Sequence, residues 1–306
     1  MFHTANTQAL WESSTREMQQ AFGSPDDLKV LRENLIAQYG TEAAVLSERT
    51  ETQSGFRVYT RVARWTGTDV PLQLVIAINE LDKVAGFWIR PQAVAAYSPH
   101  LNYQTKANLC LPVDGEWYVY WGGRTVEDNY HAADQGQRFA LDLLVLQNGG
   151  SHAGEPKVLA NYHCWGRSVV APAAGVIVHA VDGLKDQTIG ASDPTNPAGN
   201  HVVIDFGSKE YGFLAHLQRN SIRVSAGDRV ARGQEIGLCG NSGNSSEPHL
   251  HFHLQTSPVL GQGDGLPAQF LDYRANGVLI GRGEPTRGEM IRSENSPSSP
   301  RRRPRP

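Results

Sequence analysis

The sequence predicts two unlike folded parts. Residues 1–92 read as an α+β unit of helices plus a curved antiparallel sheet, and residues 107–290 as a mostly antiparallel β domain. Three observations carry this. Apolar spacing in the first part changes from a helical repeat to strict alternation. From Lys106 onward the chain is short strands and Gly-rich turns with no long amphipathic helix. Near the end of that region, His249, His251 and His253 alternate with Leu250, Phe252 and Leu254. A period of two marks a strand and separates imidazoles from apolar side chains onto opposite faces.

In chain order, Leu10, Trp11, Met18 and Phe22 predict a helix over 10–22. Ser24-Pro25-Asp26-Asp27 is a helix start, with Ser as N-cap, Pro at the first helical position and carboxylates at the positive dipole end. Leu28, Leu31, Leu35 and Ile36 follow at helical spacing, and Gly40 after Tyr39 is a stop signal. After Gly55, Phe56, Val58, Thr60 and Val62 alternate with polar residues, as do Leu72, Leu74, Ile76 and Ile78. Asn79 to Lys83 predicts a turn into a last strand from Val84 to Ile89, so a strand meander wraps the helices. Residues 93–106 read as a linker. Strands are expected at 117–121, 139–146, 168–178, 201–206 and 211–217, with tight turns at Gly227-Asp228 and Gly233. Residues 291–306, with Arg301, Arg302, Arg303 and Arg305 among Ser and Pro, predict a disordered tail.

Composition narrows the function. The net charge is -3, and Lys and Arg number 28 against 31 Asp and Glu, which excludes a broadly basic nucleic-acid binder. Cys110, Cys164 and Cys239 stand singly, so neither a disulfide framework nor a thiolate zinc site is indicated. No apolar run approaches the ~20 residues of a membrane span. The start, Met1 to Thr7, shows no secretory signal, so the protein stays inside or its exported start lies outside this sequence. Nothing in the sequence indicates an oligomeric state.

Imidazoles two apart on a rigid strand can aim at one point, which suits a transition metal, although a polar strand face rich in His reads the same way. Upstream segments discriminate. Val169 to Val178 is a strand pair broken at Pro172 and Gly175, His201 to Gly207 and Tyr211 to Leu217 form a hairpin, and Val224 to Gly240 adds Gly turns. With Gln137-Arg-Phe-Ala-Leu-Asp142 and Pro248-His-Leu-His251, these segments resemble, in order, the lysostaphin-type zinc metallopeptidases that cleave peptide cross-links of bacterial cell walls. The resemblance covers Pro112 to Gln255. Residues 1–92, closing on Phe87-Trp-Ile-Arg-Pro91, resemble the cone-shaped nuclear-transport-factor-like domains that precede catalytic domains, where they hold a small ligand or act as spacers.

The resemblance implies one zinc ion per chain, His249 and His216 as catalytic imidazoles, and His251 and Asp142 as ligands. The family's other His ligand lies four residues before the Asp, where this chain has Arg138, which stays protonated and cannot ligate. The replacement is His131, brought back by a loop from Ala132 to Gln137, with Arg138 as a donor to a carboxylate; otherwise His131 is a plain loop residue and the site is incomplete. His163, the runner-up to His131, better suits a packing or substrate-groove role; His253 stands where the family commonly has Glu and is placed behind the metal, the alternative being a satisfied polar residue, and Asn129 and Gln255 are candidate hydrogen-bond partners. The implied substrate is the peptide stem or bridge of peptidoglycan, and the implied location is the envelope or exterior of a bacterium. Two rivals remain at this point: a metal-deficient homologue that binds the wall or activates another hydrolase, and a carrier or sugar-binding β domain, which leaves the three imidazoles without a task.

Overall fold

The computed structural model describes residues 6–53 and 55–294. They fall into two compact units, divided between Ala93 and Val94. The Arg-rich stretch 295–306 and the first five residues lie outside the described residues. Among the described residues no helix is long and apolar enough to cross a membrane.

The first unit has helices α1 (Thr7–Glu12), α2 (Arg16–Phe22) and α3 (Pro25–Tyr39), then strands β1 (Glu42–Gln53), β2 (Phe56–Trp65), β3 (Thr68–Ile78) and β4 (Val84–Pro91). The strands form an antiparallel sheet in sequence order. The single helix expected over 10–22 is two, because the chain between them is drawn into the sheet. Val84 N–H donates to Ser13 O and Thr15 N–H to Val84 O, both at 2.9 Å. Thr15 then caps α2 by accepting from Met18 N–H. At α3 the expected start is realised as a capping box, with Ser24 accepting from Asp27 N–H and Asp27 accepting from Ser24 N–H. Leu28 and Leu35 of α3 pack with Leu10 and Val84, while Leu31 stays on the surface.

The second unit is mostly antiparallel β. Its strands are β5 (Glu116–Trp121), β6 (Leu141–Leu144), β7 (Ser168–Val170), β8 (Gly175–Val181), β9 (Asn200–Asp205), β10 (Tyr211–Leu217), β11 (Arg229–Val230), β12 (Glu235–Leu238) and β13 (Leu250–Gln255), followed by β14 (Gly265–Leu266), β15 (Phe270–Ala275), β16 (Val278–Gly283) and β17 (Met290–Ser293). Eleven of these form one sheet, in the order β11-β8-β9-β10-β13-β6-β5-β17-β15-β16 with β14 beside β13, while β7 pairs β12. The stretch expected to be a tail from residue 291 instead starts within a strand, because Ile291 pairs with both Trp117 and Ala275. The expected linker is likewise fastened down at its end: the buried Glu210 carboxylate accepts from Tyr103 O–H, Lys106 N–H and Ala107 N–H.

The core of this unit centres on β13. Leu250, Phe252 and Leu254 point into it with Leu141, Leu143 and Leu214, all buried. The alternate residues His251, His253 and Gln255 are buried on the opposite face. Placing three polar side chains in the middle strand is costly unless each finds a partner.

Candidate metal centre

Sheet register brings the first two groups together. His251 on β13 lies directly opposite Asp142 on β6 and, on its other side, Ala215 on β10. Directly opposed residues in a ladder stand ~5 Å apart at Cβ, close enough for short side chains to meet. His251 Nδ1 lies 2.9 Å from Asp142 Oδ1.

His131 arrives from a 3-10 turn, Tyr130–Ala133. Asp134 stabilises the loop that follows by accepting from Gly136 and Gln137 N–H, each at 2.9 Å, and this returns the chain to β6. His131 Nε2 comes 3.7 Å from Asp142 Oδ2. One ligand atom each of His131, Asp142 and His251 lies within 4.8 Å of the others, and all three residues are buried.

The surroundings of His131 decide which nitrogen is available. Asn129 Nδ2 donates to Gly123 O and Ala140 O, so its Oδ1 is the atom left facing His131 Nδ1 at 2.9 Å. An amide oxygen only accepts, so Nδ1 carries the hydrogen and Nε2 presents its lone pair to the centre. This donor set, two imidazoles and a carboxylate, suits a divalent zinc ion and leaves a fourth position free. His131 can therefore do what Arg138 cannot.

Two more imidazoles reach the same place. His216 sits near the end of β10, where the pairing with β9 is irregular between Leu214 and Leu217. Its backbone is left-handed, with φ 61°, an uncommon conformation for a residue with a side chain. It is held there by its N–H donating to Ala198 O and by Nδ1–H donating to Ser242 O at 2.8 Å. Ser242 is itself tied down, its Oγ donating to Leu217 O and accepting from Asn200 N–H. His249, just before β13, donates from Nδ1 to Glu247 O at 2.8 Å and places Nε2 3.7 Å from Asp142 Oδ1. The His216 and His249 rings lie 4.7 Å apart.

Electrostatics follow from burial and crowding. Burial holds His131 down to about 3, against the pull of Asp142, with His251 and His249 adding to the depression. Burial also drives His216 and His253 well below the ordinary imidazole range, reinforced by neighbouring His residues. Burial pushes the Asp142 carboxyl up, but His131, His249 and His251 together overcome it and hold it well below the usual carboxylate range. Near neutral pH Asp142 is thus ionised and His131 neutral, which is the form in which each can ligate a metal.

A cleft of about 360 Å³ opens over these groups, lined by Tyr130, Phe213, His216, His251, Asn244 and Leu260 among others. Tyr130 lies against the His131 ring at 3.9 Å between centroids and is exposed on its other side. Composition and motif reading gave no signal for Tyr130, Ser242 or Asn200; only a residue's neighbours reveal such roles.

The remaining predicted residues divide. His253 is joined to His251, with Nδ1 2.8 Å from His251 Nε2. His163 is not among the residues lining the cleft; its carbonyl accepts from Arg167 Nε. Arg138 does not serve a carboxylate. It is buried and donates to two backbone carbonyls, Ala96 O at 2.9 Å and Arg124 O at 2.7 Å, so it ties the segment before β5 to the loop after it rather than serving the centre.

Comparison with known proteins bears on the same segment. Residues 160–263 match the model of Peptidase family M23. The chain is 47% identical over 57 residues to the peptidoglycan DD-endopeptidase ShyA of Vibrio cholerae, covering 19% of this chain and 13% of that protein. It is 34% identical over 94 residues to ShyC of the same organism, covering 31% and 20%. To Endolysin 2638A of Staphylococcus phage 2638A it is 41% identical over 71 residues, covering 23% and 14%. The chain thus spans a fifth or less of the length of these relatives. Among solved structures, the catalytic domain of lysostaphin from Staphylococcus simulans aligns at 22% identity and a TM-score of 0.31, covering 50% of this chain and 89% of that one. Residues 160–263, which carry His216, His249 and His251, are a Peptidase family M23 domain.

Proposed function

We propose that this protein is a zinc-dependent endopeptidase that hydrolyses peptide bonds of peptidoglycan cross-links. The observation that carries the reading is the convergence of His131, Asp142 and His251, with ligand atoms within 4.8 Å, beside the unligated imidazoles of His216 and His249. His131, Asp142 and His251 would hold the ion. When bound there, zinc supplies a water activated near neutral pH and a polarised carbonyl.

The chain's own residues do the rest. Carbonyl acceptors hold Nδ1–H of both His216 and His249, so in each ring Nε2 is the atom that takes up or gives a proton. One imidazole accepts the proton of the attacking water, and the other stabilises the developing oxyanion and serves the leaving amine. The walls of β10 and β13 and the cleft above them suit an extended peptide. The relatives' names support peptidoglycan as its source, and with it a location in the envelope or exterior of a bacterium. For the N-terminal unit, three helices followed by a four-stranded meander support the nuclear-transport-factor-like reading, as a spacer or partner-binding module.

The test is metal analysis of the purified full chain, followed by digestion of muropeptides with and without a chelator. One zinc per chain, lost in His131→Ala and Asp142→Ala, and chelator-sensitive release of cross-linked peptides are expected. A clean, folded protein with no metal and no digestion overturns the reading in favour of the wall-binding alternative.

A further inference from the structure

We propose that His253 and Gln255 are positioning residues that fix which nitrogen of His251 is left free for the metal. This rests on the reading above that His251 is a ligand, and it assigns a task to two buried polar residues that reading does not use.

The argument follows hydrogens from the outside inward. Gln255 Nε2 donates to Ser257 O at 2.7 Å and to Val259 O at 2.9 Å, which uses both amide hydrogens on atoms that can only accept. The amide is thereby oriented, and Oε1 is the atom facing His253 Nε2 at 3.3 Å. An oxygen without hydrogen requires a donor, so His253 carries its hydrogen on Nε2. In a neutral imidazole the other nitrogen is then a bare acceptor. That atom, His253 Nδ1, lies 2.8 Å from His251 Nε2, which must therefore donate. His251 Nδ1 is left as a lone pair, 2.9 Å from Asp142 Oδ1.

Two acceptors at that separation repel unless a cation sits on them, and a divalent ion bound by both meets the condition. The opposite order of hydrogens would set a lone pair of His253 against Gln255 Oε1 and point an N–H of His251 at Asp142, closing the site. The hydrogen-bonded side chains satisfy one another directly, because His251, His253 and Gln255 are each at most 4% exposed. His253 is also kept from swinging by Phe213, whose ring stacks on it at 4.5 Å with 12° between planes. The three linked residues are the alternate positions of β13, so the strand's own periodicity builds the relay.

The test joins affinity to a spectroscopic readout on the full chain. In zinc-loaded wild type with ¹⁵N-labelled histidine, long-range ¹H–¹⁵N correlation should show His251 and His253 as Nε2–H tautomers. Zinc affinity, read by competition with a fluorescent chelator, should fall about 10- to 100-fold in His253→Phe and Gln255→Leu. His253→Gln, which restores an oxygen able to accept from His251 Nε2–H, should recover most of it. A His251 Nδ1–H tautomer in the zinc-loaded wild type overturns the proposal without recourse to any variant. Folded variants that bind zinc as tightly as wild type also overturn the relay alone, whereas a wild type that takes up no zinc overturns the metal reading itself.

Discussion

Asn129 offers the sharpest test of how the centre is built. Its side chain is fully buried and does two separable things. Oδ1 accepts from His131 N–H and Nδ1–H, while Nδ2 satisfies Gly123 O and Ala140 O. Asn129→Ala removes both. Loss of the acceptor releases the His131 ring and its tautomer, and loss of an outer hydrogen-bond partner typically lowers metal affinity about 10- to 100-fold, or roughly 1.4 to 2.7 kcal/mol. The buried Ala140 carbonyl loses its donor, at about 1–3 kcal/mol, and the half-buried Gly123 carbonyl loses its donor at a smaller cost, so the metal-free protein should be destabilised by roughly 1 to 4 kcal/mol. Asn129→Asp separates the effects: it keeps the acceptor and loses the donors, so stability should fall while zinc affinity holds at or above wild type. The assays are chelator competition for zinc and urea unfolding of the metal-free chain. An Asn129→Ala protein that is less stable yet binds zinc as tightly as wild type would refute the tautomer reasoning and leave Asn129 a packing residue.

Further outcomes follow from the same geometry. His216→Ala and His249→Ala should each retain one zinc by metal analysis while slowing muropeptide cleavage by about 100-fold or more, the range for loss of general acid–base help. Acidification should destabilise the metal-free protein. His131 is depressed by burial to about 3, so its stabilisation is present above the unfolded value near 6.5 and is lost as pH falls toward 3. The slope approaches about 1.4 kcal/mol per pH unit for that one proton, and urea titrations across this window should be flatter in His131→Phe. Gly199→Ala should lose both stability and cleavage, because φ is 58° there and an added Cβ would stand 2.4 Å from the Ser242 carbonyl that holds His216. Thermal melts and the same digestion assay check it.

Much of this was readable in the sequence where the signal is local. Ser24-Pro25 and Gly40 bound α3 because capping depends on neighbours a few residues away. The alternation from His249 to Gln255 gave β13 and its two faces. Features set by distant partners were not readable. The long strand β1 has no apolar alternation, since most of it is exposed and its place comes from pairing with β2. The break between α1 and α2 exists because Ser13 and Thr15 meet Val84, far along the chain. At the centre, His131 and Asp142 could be named as candidates, but the fate of Arg138 depended on the distant carbonyls of Ala96 and Arg124 that its guanidinium meets. Ser242 acts through its carbonyl, which every residue has, so nothing in its identity announces the role.

The left-handed backbone of His216 has a consequence for any attempt to make this protein tougher. A residue with a Cβ held at that φ gives up about 1 kcal/mol that glycine would not. Engineering for heat tolerance will therefore be drawn to that position, and its easiest gain there removes one of the two imidazoles the proposed chemistry needs. Robustness has to be sought at other positions, where a substitution leaves both imidazoles in place.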